Sequence, residues 1–263
     1  MIIDEIVAKT KIRIAKEKQE ISPERMKEMA HQRVNDRPSF YDALSKKELS
    51  YILEVKKASP SKGSIAKDFD YVGIAKEYEE IGADAISVLT EPDFFQGSIN
   101  YLKEISEQVN LPLLRKDFVI DDYMIDQAKV NGASAVLLIT GILNDETLKA
   151  YLDYAHSLHL DALVEARDAT QVKRALNAGA NIIGVNNRDL RDFSVDIHNS
   201  LRYRDLVPDN VLFVSESGIV RREQTKELEE HHVAAVLIGE TMMRSDHKKE
   251  ELAMLKGEIK DED

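Results

Sequence analysis

The chain has 263 residues, 43 % of them hydrophobic, enough for one large domain with a full core or two small ones. With no cysteine, disulfides, zinc–thiolate sites and thiol catalysis are excluded. The 48 acidic against 36 basic residues, net charge −12, argue against nucleic acid as a partner, and no apolar run of about 18 residues offers a membrane span.

The opening stretch "MIIDEIVAKTKIRIAKEKQE" carries acids and no small-residue cleavage site, so it does not read as a signal peptide and a cytoplasmic protein is expected. In "ISPERMKEMA", Ser22 reads as an N-cap and Pro23 as the first helical residue. Residues 1–49 are therefore expected to form an N-terminal helical extension. It either plugs the bottom of the domain that follows or reaches over its top.

Eight short apolar segments follow: "YILEVKK", "DAISVLT", "PLLRKD", "AVLLIT", "DALVEA", "IIGVNN", "VLFVSES" and "AVLIGE". Each is rich in Val, Ile and Leu and short enough for a buried parallel strand. Amphipathic stretches of helical length separate them. "IGADAISVLT", "NGASAVLLIT" and "AGANIIGVNN" form a weak repeat in which Gly82, Gly132 and Gly179 should end a helix before a strand. Eight such units predict a closed (β/α)8 barrel, the TIM-barrel architecture, over residues 50–257, with residues 258–263 as a frayed acidic tail. An open doubly wound sheet is the competing architecture; no G-x-G-x-x-G follows the first strand.

In barrels of this kind chemistry sits at the carboxyl ends of the strands. Strand parity turns Glu54, Lys56, Lys116, Glu165, Asn186 and Glu216 inward at that rim, with Arg188 just beyond, while Lys57 points away. Two lysines, three carboxylates and an amide at one mouth are costly to desolvate unless they pair or bind a ligand. A structural salt-bridge ring is the plain alternative. The glycines of "VSESGI" and "VLIGETM" follow adjacent strands, where backbone N–H groups often hold phosphate; Ser59 can add a hydroxyl. Phe95, Phe118, Ile139 and Leu190 fall at or just past strand ends and suit either packing or an apolar floor for an aromatic ring. His231 and His232 are adjacent, cannot share a helix face and read as surface; no metal site is expected.

"EVKKASPSKG", "LLRKDFVID", "ALVEARD", "IIGVNNRDL", "VSESGI" and "VLIGETMM" occur in this order at the ends of strands one, three, five, six, seven and eight. Together they make the chain resemble the indole-3-glycerol phosphate synthase family over nearly its whole length. The resemblance implies decarboxylating, dehydrating ring closure of 1-(o-carboxyphenylamino)-1-deoxyribulose 5-phosphate, without a cofactor. It implies Lys116 as general acid, Glu165 as acid–base group in dehydration, and Glu54 as the residue assisting proton transfer. Lys56 would pair with the substrate carboxylate or act as a second acid, and Asn186 would bond sugar hydroxyls or the catalytic glutamate. Arg188 and Glu216 fall at substrate-binding positions, and Phe95, Phe118, Ile139 and Leu190 at the anthranilate-ring pocket. Ser59, Ser217, Gly218, Gly239 and Glu240 match phosphate-binding positions; at Glu240, where some relatives have serine, the contact would come from the backbone N–H. The expected partner is a small phosphorylated, carboxylated aromatic amino sugar, with neither nucleic acid nor membrane, and the protein is expected to act as a monomer. The rival readings are phosphoribosylanthranilate isomerase or another ribulose-phosphate barrel, a Schiff-base lyase with a nucleophilic lysine, and a barrel that only binds.

Overall fold

The computed structural model describes residues 2–34, 36–60, 63–65, 69–189 and 194–259. Its strands are β1 (Ser50–Val55), β2 (Ala85–Leu89), β3 (Leu113–Lys116), β4 (Ala135–Ile139), β5 (Asp161–Ala166), β6 (Ile182–Asn186), β7 (Leu212–Glu216) and β8 (Ala235–Ile238). Each pairs in parallel with the next, and β8 pairs with β1 to close the barrel. The (β/α)8 architecture read from the sequence is therefore the one observed.

Helices precede and connect the strands: α1 (Ile2–Glu20), α2 (Pro23–Gln32), α3 (Phe40–Leu44), α4 (Tyr71–Glu80), α5 (Pro92–Phe95), α6 (Ile99–Ser106), α7 (Tyr123–Val130), α8 (Asp145–Ser157), α9 (Ala169–Ala178), α10 (His198–Arg204), α11 (Arg222–Glu230), α12 (Glu240–Arg244) and α13 (Lys248–Lys256). Ser22 caps α2 by accepting from the Arg25 N–H, with Pro23 as first helical residue. Gly82, Gly132 and Gly179 stop α4, α7 and α9 with φ of 87°, 83° and 90°, where a side chain would clash with its own backbone. Of the expected tail 258–263, Glu258 and Ile259 lie within the described residues, and both are exposed.

Strand alternation divides the core in two. Ile52, Leu114, Leu163, Ile182 and Val214 fill the barrel, while Leu53, Ile86, Val136, Val164 and Ile183 face the helices. Burying each such side chain contributes roughly 1.5–3 kcal/mol.

The N-terminal extension does both things left open by its sequence. Phe40 and Leu44 of α3, both 0 % exposed, join the interior cluster with Ile52 and Ala85 at the bottom. The Asp161 carboxylate there accepts from the Tyr41 N–H (2.9 Å) and the Ser39 hydroxyl (3.2 Å). At the opposite end Ile6 of α1 packs in the cluster that contains Phe118, Leu137 and Ile139, so α1 roofs the mouth.

A buried charge network fastens that roof. Arg13 donates to both Asp117 carboxylate oxygens (2.8 and 3.0 Å) and to the Thr90 carbonyl (3.3 Å). Asp117 also accepts from Arg115 (3.2 Å) and from the Thr90 hydroxyl (2.7 Å). Burial disfavours the Asp117 charge, but Arg13 and Arg115 outweigh it and hold its carboxyl below the usual range. Arg13→Met removes one of the two cations and should destabilise the fold by about 2–3 kcal/mol in urea unfolding. A change under about 0.5 kcal/mol, the ordinary size for surface changes, would show that apolar contacts alone hold α1.

Candidate active site

The strand ends bring the expected residues together. Glu54, near the end of β1, is 3 % exposed and accepts from Lys56 Nζ at 2.6 Å. Lys116, the last residue of β3, donates to Glu216 Oε2 of β7 at 2.7 Å and lies 3.8 Å from Glu54 Oε2. The charges thus run Lys56, Glu54, Lys116, Glu216 across the mouth, alternating in sign. Burial alone would lower the Lys116 pKa, but Glu216, Glu54 and Glu165 outweigh it and raise it, so the side chain is an ammonium. Burial works against ionised Glu54 as well, yet Lys56 and Lys116 hold its pKa below the usual range.

Two glycines make room for this chain of charges. A Cβ at Gly184 on β6 would stand 2.1 Å from Glu216 Oε1, and one at Gly239 would stand 2.6 Å from Glu54 Oε1 and 2.8 Å from Lys56 Nζ. Glu216 is fully buried, and its Oε1 has no hydrogen-bond partner among the described residues.

Glu165, on β5, is 7 % exposed and accepts from Asn186 Nδ2 at 3.4 Å. Burial, reinforced by the Glu216 charge, pushes its carboxyl up to about 7, with Lys116 and Asn186 pulling the other way. An unfolded glutamate titrates near about 4.3. Between those values the folded chain holds a proton that the unfolded chain has released, so this group's contribution to stability falls as pH rises through the window. Glu165→Gln removes the buried charge and should stabilise the protein by about 2 kcal/mol at pH 8 but little at pH 4.5. Denaturant titrations at both pH values check this; equal effects at the two would contradict it.

Beside the charges stands an apolar wall. Phe95, at the end of α5, and Phe118, just past β3, lie 6.2 Å apart between ring centroids. Glu91 sets α5 by accepting from the backbone N–H groups of Asp93, Phe94 and Phe95. Ile2, Ile6, Leu89, Leu137 and Ile139 complete an inner cavity of about 100 Å³, which Lys116, Glu165 and Asn186 also line. An outer hollow of about 450 Å³ continues over the loops after β7 and β8, past Lys56, Arg188, Ser217, Gly218, Gly239 and Glu240. Ser217 and Gly218 both have positive φ, 71° and 81°. At Ser217 that conformation is strained, and Asn187 holds it by donating to the Ser217 carbonyl and the Ser215 hydroxyl, each at 3.0 Å.

Ser59 lines the inner cavity from a two-residue hairpin, Ala58–Ser59 with Gly63–Ser64, that the sequence did not suggest. Glu216, expected to face the substrate, lines neither cavity because it sits behind Lys116. Lys57 lines neither, as parity implied. Leu190 lies outside the described residues. Sequence reasoning passed over Asn187, Glu91, Ile2 and Ile6. The doubled asparagine was the available signal for Asn187, since adjacent strand residues face opposite sides. A larger hollow, about 960 Å³, lies at the amino ends of the strands, lined by Lys46, Tyr51, Asp84 and Arg222 among others, and contains none of these residues.

A profile described as indole-3-glycerol phosphate synthase matches residues 3–255. The chain belongs to the indole-3-glycerol phosphate synthase family. The indole-3-glycerol phosphate synthase of Lacticaseibacillus paracasei is 52 % identical over 257 residues, covering 97 % of this chain and 99 % of that one. That of Ruminiclostridium cellulolyticum is 52 % identical over 258 residues, covering 98 % and 99 %. Members of the family are decarboxylating lyases of tryptophan biosynthesis, and the chain is an enzyme of that class. The fold alone is shared with 3-hexulose-6-phosphate synthase from Salmonella typhimurium, with a TM-score of 0.65, 13 % identity, and coverage of 80 % of this chain and 97 % of that one. Among the described residues, no helix is long and apolar enough to cross a membrane.

Proposed function

We propose that the mouth closes the indole ring of 1-(o-carboxyphenylamino)-1-deoxyribulose 5-phosphate, giving indole-3-glycerol phosphate, carbon dioxide and water. The observation that carries this reading is the meeting of ammonium Lys116, held from behind by Glu216, with Glu54 and half-titrated Glu165 around a cavity with an aromatic wall. The anthranilate ring lies against Phe95, Phe118 and Ile139, with Leu190 assigned to the same wall by family resemblance. The phosphate lies in the outer hollow, on Ser217 and the backbone N–H groups of Gly218, Gly239 and Glu240, with Ser59 reaching it from the adjoining inner cavity.

The ring carbon that bears the carboxylate attacks the sugar carbonyl carbon. Lys116 delivers a proton to the carbonyl oxygen as negative charge develops there. Lys56 holds the carboxylate until it leaves as carbon dioxide, which restores the aromatic ring. Glu165, titrating near neutrality, moves the protons of the dehydration that follows. Asn186 orients Glu165, Glu54 keeps both lysines in place, and Arg188 offsets nearby carboxylates. The reaction neither gains nor loses electrons, so no redox cofactor enters the balance. The protein works as a cytoplasmic monomer.

A Schiff-base lyase needs a neutral amine nucleophile, and the raised pKa of Lys116 runs against it. A turnover assay with the carboxyphenylamino sugar phosphate tests the proposal. Indole fluorescence should grow with one carbon dioxide released per turnover. A stable adduct trapped by borohydride would transfer the assignment to the lyase.

A further inference from the structure

The outer hollow contains its own anion. The Glu240 carboxylate reaches two arginines that line the same space: Oε1 lies 3.1 Å from Arg244 Nε, and Oε2 lies 3.7 Å from Arg188 Nη2. Lys56 and Lys116, which also line the hollow, are held by Glu54 at 2.6 Å and by Glu216 at 2.7 Å. The cations of the hollow therefore face internal carboxylates before any ligand arrives. The Glu240 and Arg188 side chains are 29 % and 21 % exposed, so their interaction is only partly screened by water.

We propose that Glu240 sets the affinity of this site for phosphate monoesters by competing with the phosphate for Arg188 and Arg244. The inference rests on the assignment of the phosphate to this hollow. A phosphate dianion among Ser217, Gly218 and Gly239 attracts the same guanidinium groups and is repelled by the carboxylate between them. The carboxylate must give up its arginines, or stay and repel, and either course weakens phosphate binding. A sugar lacking the phosphate does not compete for the arginines, so Glu240 lowers affinity for the phosphorylated ligand alone.

Glu240→Gln tests this, because it keeps the side chain's size and removes its charge. Inorganic phosphate binding is measured by calorimetry, and KM and kcat/KM with the carboxyphenylamino sugar phosphate at about 50 mM and 500 mM salt. The phosphate Kd and the substrate KM should fall about 3- to 10-fold at low salt, with kcat/KM rising in step and the gain shrinking at high salt. An unchanged or weaker affinity in Glu240→Gln overturns the inference and makes Glu240 a holder of the arginines. If the native protein neither binds phosphate nor turns over the substrate, the functional assignment itself fails. If it does both and the variant gains nothing, only the role of Glu240 fails. A thermal melt of the variant matching the native protein excludes misfolding as the cause.

Discussion

Lys116→Ala should abolish ring closure while the barrel remains folded. The ammonium stands between Glu216 at 2.7 Å and Glu54 at 3.8 Å, and its side chain is 16 % exposed at the cavity. Three carboxylates keep it charged, so the proton is present when the carbonyl oxygen needs it. Loss of a positioned proton donor typically costs about 10²- to 10⁴-fold in rate. Turnover within about tenfold of native would remove Lys116 from that role. Lys116→Gln separates donation from support. Its amide can still bond Glu216 but has no acidic proton to give, and the same loss of turnover is expected. Both variants should keep a cooperative unfolding transition, because they leave every member of the apolar clusters that hold the barrel in place.

Gly184→Ala should cost nearly as much, although the residue touches no substrate. A methyl group there would stand 2.1 Å from Glu216 Oε1 and 3.1 Å from Leu163 Cδ1. Glu216 has no solvent to retreat into, since its side chain is 0 % exposed. Moving it breaks the bond to Lys116 and changes the field at Glu165, which pairs in register with Gly184. A displacement of this kind is expected to lower kcat about 10²-fold and stability by about 1–3 kcal/mol. The pH–rate profile adds a second readout. Glu216 raises the Glu165 pKa, so displacing it moves the limb near pH 7 to lower pH. A variant with native kcat and an unmoved limb would show that the position of Glu216 governs neither Lys116 nor Glu165.

What the sequence disclosed followed local rules. Valine, isoleucine and leucine runs marked the strands, and glycines at Gly82, Gly132 and Gly179 marked helix ends that do adopt positive φ. Parity at strand ends was enough to place Glu54, Lys56, Lys116, Glu165 and Asn186 around one opening, because a closed parallel barrel aligns all its carboxyl ends. What stayed hidden depended on contacts between distant segments. Nothing near Arg13 signals that it meets Asp117, 104 positions away, or that α1 therefore lies over the mouth while α3 fills the floor. Nothing in the sequence around Gly184 shows why a side chain is excluded there; the position of the Glu216 carboxylate does. Glu240 was legible as a departure from the serine of some relatives, and Arg244 as its i,i+4 neighbour on α12, but its other partner, Arg188, comes from beyond β6.

A crystal structure with indole-3-glycerol phosphate bound tests the shared mouth most directly. The indole ring should lie against Phe95 and Phe118, and the phosphate should sit among Ser217, Gly218 and Gly239. Lys116 and Glu165 should both come within about 2.6–3.2 Å, directly or through one water, of ligand atoms. Product bound in the hollow beside Tyr51 and Arg222 at the other end of the barrel, or bound at the mouth with Lys116 still turned to Glu216 and away from it, would contradict the assignment.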